Sequence, residues 1–138
     1  MRLLIDLPSL AEARPSLAEA AALEAHEVAF TGDTEALAAV RALAPDAMIL
    51  MTWESPWLPR SHVLSRVRPQ FFNQMHQLLT GRTIDAMHRR GLLVSTYTVD
   101  DPARMRRLAR RGVDAIISND IVTLQALTGR ADVTSARL

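Results

Sequence analysis

The chain has 138 residues, 49% hydrophobic and 22% charged, with a formal net charge of +1. That length gives one domain with a real core but not a complete (β/α)8 barrel, which takes about 250 residues. All 16 basic residues are arginine, yet the basic excess is too small for a nucleic-acid binder, and the lack of cysteine excludes disulfides and thiol chemistry.

The first strand expected is RLLIDL at 2–7. For a domain that opens directly on a buried strand, a preceding segment is expected. Two similar heptads follow, PSLAEAR and PSLAEAA, in which Ser9 with Glu12 and Ser16 with Glu19 fit the capping box. Pro15 would break a helix begun at Ser9, so the helix is expected from about 16 to 25. Two copies fall short of a repeat architecture, which needs about three units.

Residues 27–31 form a second expected strand, Gly32 and Asp33 a turn, and 34–44 an amphipathic helix bearing Leu37, Val40 and Leu43. Pro45 closes that helix. Residues 47–53, AMILMTW, are continuously apolar and read as a third strand. Strand, helix, strand, helix, strand argues for a parallel sheet covered by helices.

From 54 to 75 the pattern lapses. Pro56, Pro59 and Pro69 oppose long regular structure, while Trp53, Trp57, Phe71 and Phe72 gather most of the large aromatics. Loops of that length tend to be functional. Thr80 then caps a helix to about Arg90, with Ile84 and Met87 inward and Gly91 at its end.

Residues 92–99 are a buried strand by their apolar, β-branched run. Asp100 and Asp101 offer an N-cap, and Pro102 suits the first helical position. Met105, Leu108 and Ala109 make the apolar stripe of the next helix. Arg104, Arg106, Arg107, Arg110 and Arg111 read as its solvated face. Gly112 suits a left-handed cap, and 113–118 is a strand, completing a parallel βαβ unit with a right-handed crossover. A last helix runs from about 120 to 127. The domain is therefore expected to span 1–128, with a polar tail, 129–138, that frays.

Local chemical motifs are sparse. His26, His62, His76 and His88 show no metal-ligand spacing, and His88, late on a helix, is expected to interact with the helix dipole. Ser61-His62 lacks a glycine elbow, and there is no Gly-rich phosphate loop. No apolar run reaches the roughly 18 residues of a membrane span, and no charged-then-apolar leader is present. A soluble, cytoplasmic chain without nucleic-acid partners is expected.

Two segments carry a family likeness. Tyr97-Thr98-Val99-Asp100, and the run Gly112-Val113-Asp114-Ala115-Ile116-Ile117-Ser118-Asn119, resemble the last two barrel strands of the glycerophosphodiester phosphodiesterase family. Those strands read roughly Gly-φ-x-Val-x-x-Trp-Thr-Val-Asn and Gly-Val-Asp-Gly-Ile-Ile-Thr-Asp. Leu4-Ile5-Asp6-Leu7-Pro8 sits where the family has Glu-φ-Lys, and Ala29-Phe30-Thr31 at its Ser-Phe strand end. Residues 73–83 resemble the segment before the last helix-strand pair.

The resemblance implies an α/β fold: a partial (β/α) TIM-barrel made of its later strands, with a parallel sheet. The family hydrolyses glycerophosphodiesters, products of lipid metabolism, to glycerol 3-phosphate and an alcohol. It uses a divalent metal, Ca or Mg, and two histidines as acid and base. Its His-Arg-Gly, Glu-x-Asp and His-Asp motifs do not occur in this sequence, so no catalytic residue is assigned and the chain alone is expected to be inactive. By resemblance Asp6 stands for the metal-binding Glu, one methylene shorter, while Pro8 replaces the phosphate-contacting Lys. The implied substrate-binding residues are Phe30, Trp53, Tyr97 (in place of the usual Trp) and Asn119. The implied partner is a glycerophosphodiester-type small molecule, with a homodimer or a separate chain supplying the missing strands. The alternative is a non-catalytic binding or assembly module, a half-barrel that dimerises.

Overall fold

The computed structural model of the protein describes residues 2–22 and 27–128. The expected end of the first helix, His26 and the polar tail 129–138 lie outside the described residues. Strands and helices alternate: β1 (Arg2–Leu7), a 3₁₀ turn (Leu10–Glu12), α1 (Ala13–Ala22), β2 (Glu27–Gly32), α2 (Thr34–Leu43), β3 (Met48–Trp53) and α3 (Ser61–Val67). Then come β4 (Phe71–Met75), α4 (Gly81–His88), β5 (Leu93–Tyr97), α5 (Pro102–Arg110), β6 (Ala115–Ile116) and α6 (Ile121–Thr128). The α/β class read from the sequence stands. The chain divides into two compact units, Met1–Trp53 with Trp57–Phe72, and Glu54–Pro56 with Asn73–Leu138.

In the first unit β1, β2 and β3 are parallel neighbours, with Ile5 opposite Phe30 and Phe30 opposite Ile49. Successive side chains along a strand point to opposite faces. One face carries the buried Leu7, Phe30, Ile49 and Met51, with Ala36, Leu37 and Val40 of α2 also in the core. The other carries the row Leu4, Ala29 and Met48, and Leu4 and Met48 remain 44% and 42% exposed. Asp33 caps α2, its Oδ1 accepting from the backbone N–H of Glu35 at 3.0 Å and Ala36 at 2.9 Å.

A buried arginine closes the other end of this unit. Arg41 Nε donates to Val67 O at 3.1 Å, and Nη2 donates to Arg68 O at 2.8 Å and Gln70 Oε1 at 3.2 Å. Its Nη1 also donates to Pro45 O. Gln70 Oε1 accepts again from Ile49 N–H at 2.8 Å. Burial pulls the Arg41 guanidinium below its ordinary value, but its donors are met by carbonyls that would otherwise be stranded at the ends of α2 and α3. Arg68 itself is left-handed, φ 46°, and caps α3.

In the second unit the N-caps fall where the sequence places them. Thr80 accepts from Thr83 N–H at 3.1 Å, and Asp101 accepts from Ala103 and Arg104 N–H at 3.4 and 2.7 Å, with Pro102 first in α5. Gly112, at φ +90°, makes the left-handed turn. Strands β5 and β6 are parallel, Ser95 opposite Ala115. Asp114 Oδ2 accepts from Val94 N–H at 2.7 Å and pairs with His88 Nε2 at 2.8 Å. His88 is thus held by a hydrogen bond to a carboxylate, not by the helix dipole alone.

Several local expectations need correction. Helix α1 begins at Ala13, not Ser16, because Pro15 lies in its first turn, where an amide N–H has no helical partner to lose. Ser9 makes no side-chain cap and Ser16 lies inside α1, so neither capping box forms. Residues 54–75 hold α3 and β4, where no regular element was expected; β4 was missed because it buries the polar Asn73 and Gln74 among its apolar positions. The last strand is two residues of ladder, extended by single bonds from Ile117 N–H to Thr96 O and from Val99 N–H to Ile117 O. Ala109 is exposed, leaving Met105 and Leu108 as the buried stripe of α5.

Candidate functional site

Barrel-type α/β proteins carry their chemistry at the C-terminal ends of the strands. In the first unit those ends hold Asp6, Thr31 and Trp53. Asp6 is exposed. It lies beside Gly32, where φ is +115° and an added Cβ would stand 2.3 Å from Leu7 O and 2.8 Å from Asp6 Oδ1. Thr31 Oγ1 and Thr52 Oγ1 are hydrogen-bonded at 2.9 Å. Half-buried Trp53 donates from Nε1 to Trp57 O at 2.6 Å, while the Trp57 ring is 80% exposed. Phe30 belongs to the buried layer with Ile49, on the face opposite Thr31.

The strand ends of the second unit are richer in buried polar groups. Asn73 Oδ1 accepts from Ser95 Oγ at 2.9 Å, and Gln74 O accepts from Thr96 Oγ1 at 2.7 Å. Gln74 donates from Nε2 to Ser55 O at 2.7 Å. One turn of backbone further, His76 N–H donates to Tyr97 O at 3.1 Å, and Arg104 Nη2 donates to His76 O at 2.6 Å. Four buried side-chain atoms here have no hydrogen-bond partner: Gln74 Oε1, His76 Nδ1, Tyr97 Oη and Arg104 Nε. Buried polar atoms are nearly always satisfied, so a group of four calls for a reason.

The electrostatics of this end follow from burial. Burial raises the Tyr97 phenol above its ordinary value, and the neighbouring Glu54 carboxylate adds to the effect. The phenol therefore stays protonated and can donate. Burial, then the charge of Arg104, lowers His76, which keeps the imidazole neutral. At the end of β6, Asn119 places its backbone N–H 2.8 Å from Asp100 Oδ1 and its Nδ2 3.2 Å from Oδ2, with Ser118 Oγ 2.9 Å from Oδ1. These bonds, led by the Asn119 amide, hold Asp100 below the usual carboxylate range. Asp120 is lowered likewise, first by the Thr123 hydroxyl and then by its amide.

Of the residues singled out from sequence, Asp6, Trp53, Tyr97 and Asn119 all lie at or just beyond strand C-termini. Gln74, His76, Arg104 and Glu54 were missed. Arg104 carried a usable signal: it precedes Leu108 by four residues and so shares the buried face of α5.

The alternating parallel strands and helices are those of part of a barrel, and a family model for the glycerophosphoryl diester phosphodiesterase family matches residues 9–123. The chain belongs to that family. A search of curated proteins found no match. Among solved structures, a candidate glycerophosphoryl diester phosphodiesterase of Silicibacter pomeroyi is similar with TM-score 0.79 at 22% identity, over 91% of this chain and 49% of that one. The glycerophosphodiester phosphodiesterase of Parabacteroides distasonis gives TM-score 0.76 at 21% identity, over 95% and 59% of the two chains. A phosphodiesterase of Oleispira antarctica, in complex with the product sn-glycerol-3-phosphate, gives TM-score 0.75 at 16% identity, over 94% and 56%. The chain thus spans between about half and three-fifths of these proteins, and the likeness establishes the partial (β/α) TIM-barrel fold.

The family's divalent metal does not fit the donors present. Among the described residues no three His, Cys, Asp or Glu side chains group closely enough to hold a metal ion. Asp6 supplies one carboxylate, whereas such ions take about six oxygen ligands. No described helix is long and apolar enough to cross a membrane.

Proposed function

We propose that this chain supplies the ligand-holding strand ends of a glycerophosphodiester phosphodiesterase-type barrel and does not by itself hydrolyse the phosphodiester bond. The ligand is a glycerophosphodiester-type small molecule or its glycerol 3-phosphate product, met in cytoplasmic lipid metabolism. The observation that carries the reading is the Tyr97 phenol, kept protonated, buried, and without a hydrogen-bond partner. Such a group donates to a ligand oxygen at little cost, since it gives up no protein partner. Its ring offers the alcohol or glycerol part an apolar wall.

In each unit the strand ends present ligand-facing residues: Trp53 in the first, Tyr97 and Asn119 in the second. Phe30 lies in the core layer of the first unit, on the sheet face opposite Thr31. Asp6 is a single carboxylate, and the other ligands that a Ca or Mg ion would need are assigned by the resemblance to motifs that this sequence does not contain, so no metal role is proposed for this chain alone. Proton transfer to the leaving alkoxide needs an acid whose position is fixed against it. The family's two histidines have no counterparts in its motif positions here, so no catalytic residue is assigned.

A second reading, assembly, draws on the exposed Leu4–Ala29–Met48 row. An apolar sheet face of this kind favours association, either with a second copy or with a chain carrying the complementary strands.

Titration calorimetry with sn-glycerol 3-phosphate, together with an assay of glycerophosphocholine hydrolysis in Ca or Mg, tests the proposal. Expected are saturable binding, its loss in Tyr97→Ala with the circular dichroism unchanged, and no turnover. Metal-dependent turnover by the purified chain would overturn the inactive reading; absence of binding would overturn the ligand reading. Light scattering on the same sample reports assembly, which a strictly monomeric chain would contradict.

A further inference from the structure

Helix α5 carries five arginines, and one of them behaves unlike the rest. Arg106, Arg107, Arg110 and Arg111 are exposed, whereas Arg104 is half-buried. Its Nη2 reaches the carbonyl of His76, 2.6 Å away, and its Nε is buried without a partner. The nearest acid on its own helix turn, Asp101, does not neutralise it. That carboxylate accepts from the Arg104 backbone N–H at 2.7 Å and faces Arg107 Nη2 at 3.9 Å. Among the described residues no ion pair to the Arg104 guanidinium is formed.

A half-buried guanidinium with one N–H unmet and no counter-charge is a ready partner for an anion. The adjoining His76 adds a second unmet group, since its Nδ1 is also buried without a partner. A neutral imidazole can present an N–H there in one of its two tautomers. The backbone of His76 is fixed from both sides, its N–H on Tyr97 O and its O on Arg104. The pair is therefore held in place before any ligand arrives.

We infer that Arg104 and His76 form a binding site for a phosphate-type oxyanion. Two unmet donors from two side chains, one of them a permanently charged guanidinium, match a tetrahedral group with several acceptor oxygens. The inference does not depend on the glycerophosphodiester reading, because inorganic phosphate alone satisfies the chemistry. Arg104 and His76 also lie outside the residues to which the family resemblance gives a role.

The test is a phosphate titration of the full chain at constant ionic strength, followed by NMR of the imidazole nitrogens, with chloride as the control. Expected are saturable shifts at His76 and in the first turn of α5, absent with chloride. In Arg104→Gln the affinity should fall about tenfold or more, the loss of one charge-assisted hydrogen bond, while Arg110→Gln binds like the parent. A second arm uses sn-glycerol 3-phosphate: equal affinity means that only the phosphate is read, and tighter binding means that the organic part is also held. No saturable shift, or shifts confined to residues away from His76 and α5, would overturn the site. The parent spectrum locates the ion by itself, so the site stands or falls even where Arg104→Gln fails to fold. A folded Arg104→Gln that binds phosphate like the parent also overturns it.

Discussion

The two units handle buried polar groups in opposite ways. In the first, the deeply buried charge of Arg41 is spread over three carbonyls and a side-chain amide. In the second, Gln74, His76, Tyr97 and Arg104 each keep a buried atom without a partner. A satisfied network stabilises and specifies; an unsatisfied one is tolerated where something else completes it. The Arg41 network of the first unit therefore reads as scaffold, and the unmet groups of the second are the ones that the proposed ligand would complete.

That contrast predicts where substitutions cost stability and where they cost binding. The largest effect is expected from Arg41→Met, which strands the carbonyls of Pro45, Val67 and Arg68. At about 1–3 kcal/mol for each unmet buried acceptor, partly relieved by water, the loss should be about 4 kcal/mol in urea unfolding. Gly32→Ala comes next, since its Cβ would stand 2.3 Å from Leu7 O at φ +115°. A cost of about 3 kcal/mol is expected, and a loss below about 1 kcal/mol would mean that the β1–β2 ends yield easily.

Asp100→Asn probes the second unit through pH. The folded value of Asp100 is depressed, so its contribution is present above the ordinary carboxylate value and is lost as pH falls through the folded value. The variant should flatten the acid limb of the stability profile, with least difference from the parent at the lowest pH; an unchanged acid limb would show that Asp100 does not report on folding. The smallest stability effect is expected for Tyr97→Phe, which deletes an oxygen that bonds to nothing. Thermal unfolding should stay within about 0.5 kcal/mol of the parent, while sn-glycerol 3-phosphate binding weakens. A large loss of stability in that variant would erase the contrast between the units.

Much of the scaffold was legible in the sequence because its signals are local. The apolar runs of β1, β3 and β5, the Thr80 and Asp101 caps and the Gly112 turn each declare themselves within a few residues. Strand β4 was not legible, because Asn73 and Gln74 look like loop residues until Ser95 and Ser55, far along the chain, supply or accept their hydrogen bonds. The same applies to the site. Tyr97 and Asn119 were singled out through the family wording around them, whereas His76 has no distinctive neighbours and stands out only when Arg104 folds back onto its carbonyl.

One arrangement has a practical use. The chain has two tryptophans and one tyrosine. Trp53 and Trp57 both belong to the first unit, and Tyr97 to the second. Tryptophan emission therefore reports on the first unit, and the tyrosine band of the second-derivative absorbance, resolved from tryptophan, on the second, with no label added. Coincident melting curves from the two chromophores would mean that the units unfold as one cooperative body; separated curves would rank their stabilities directly.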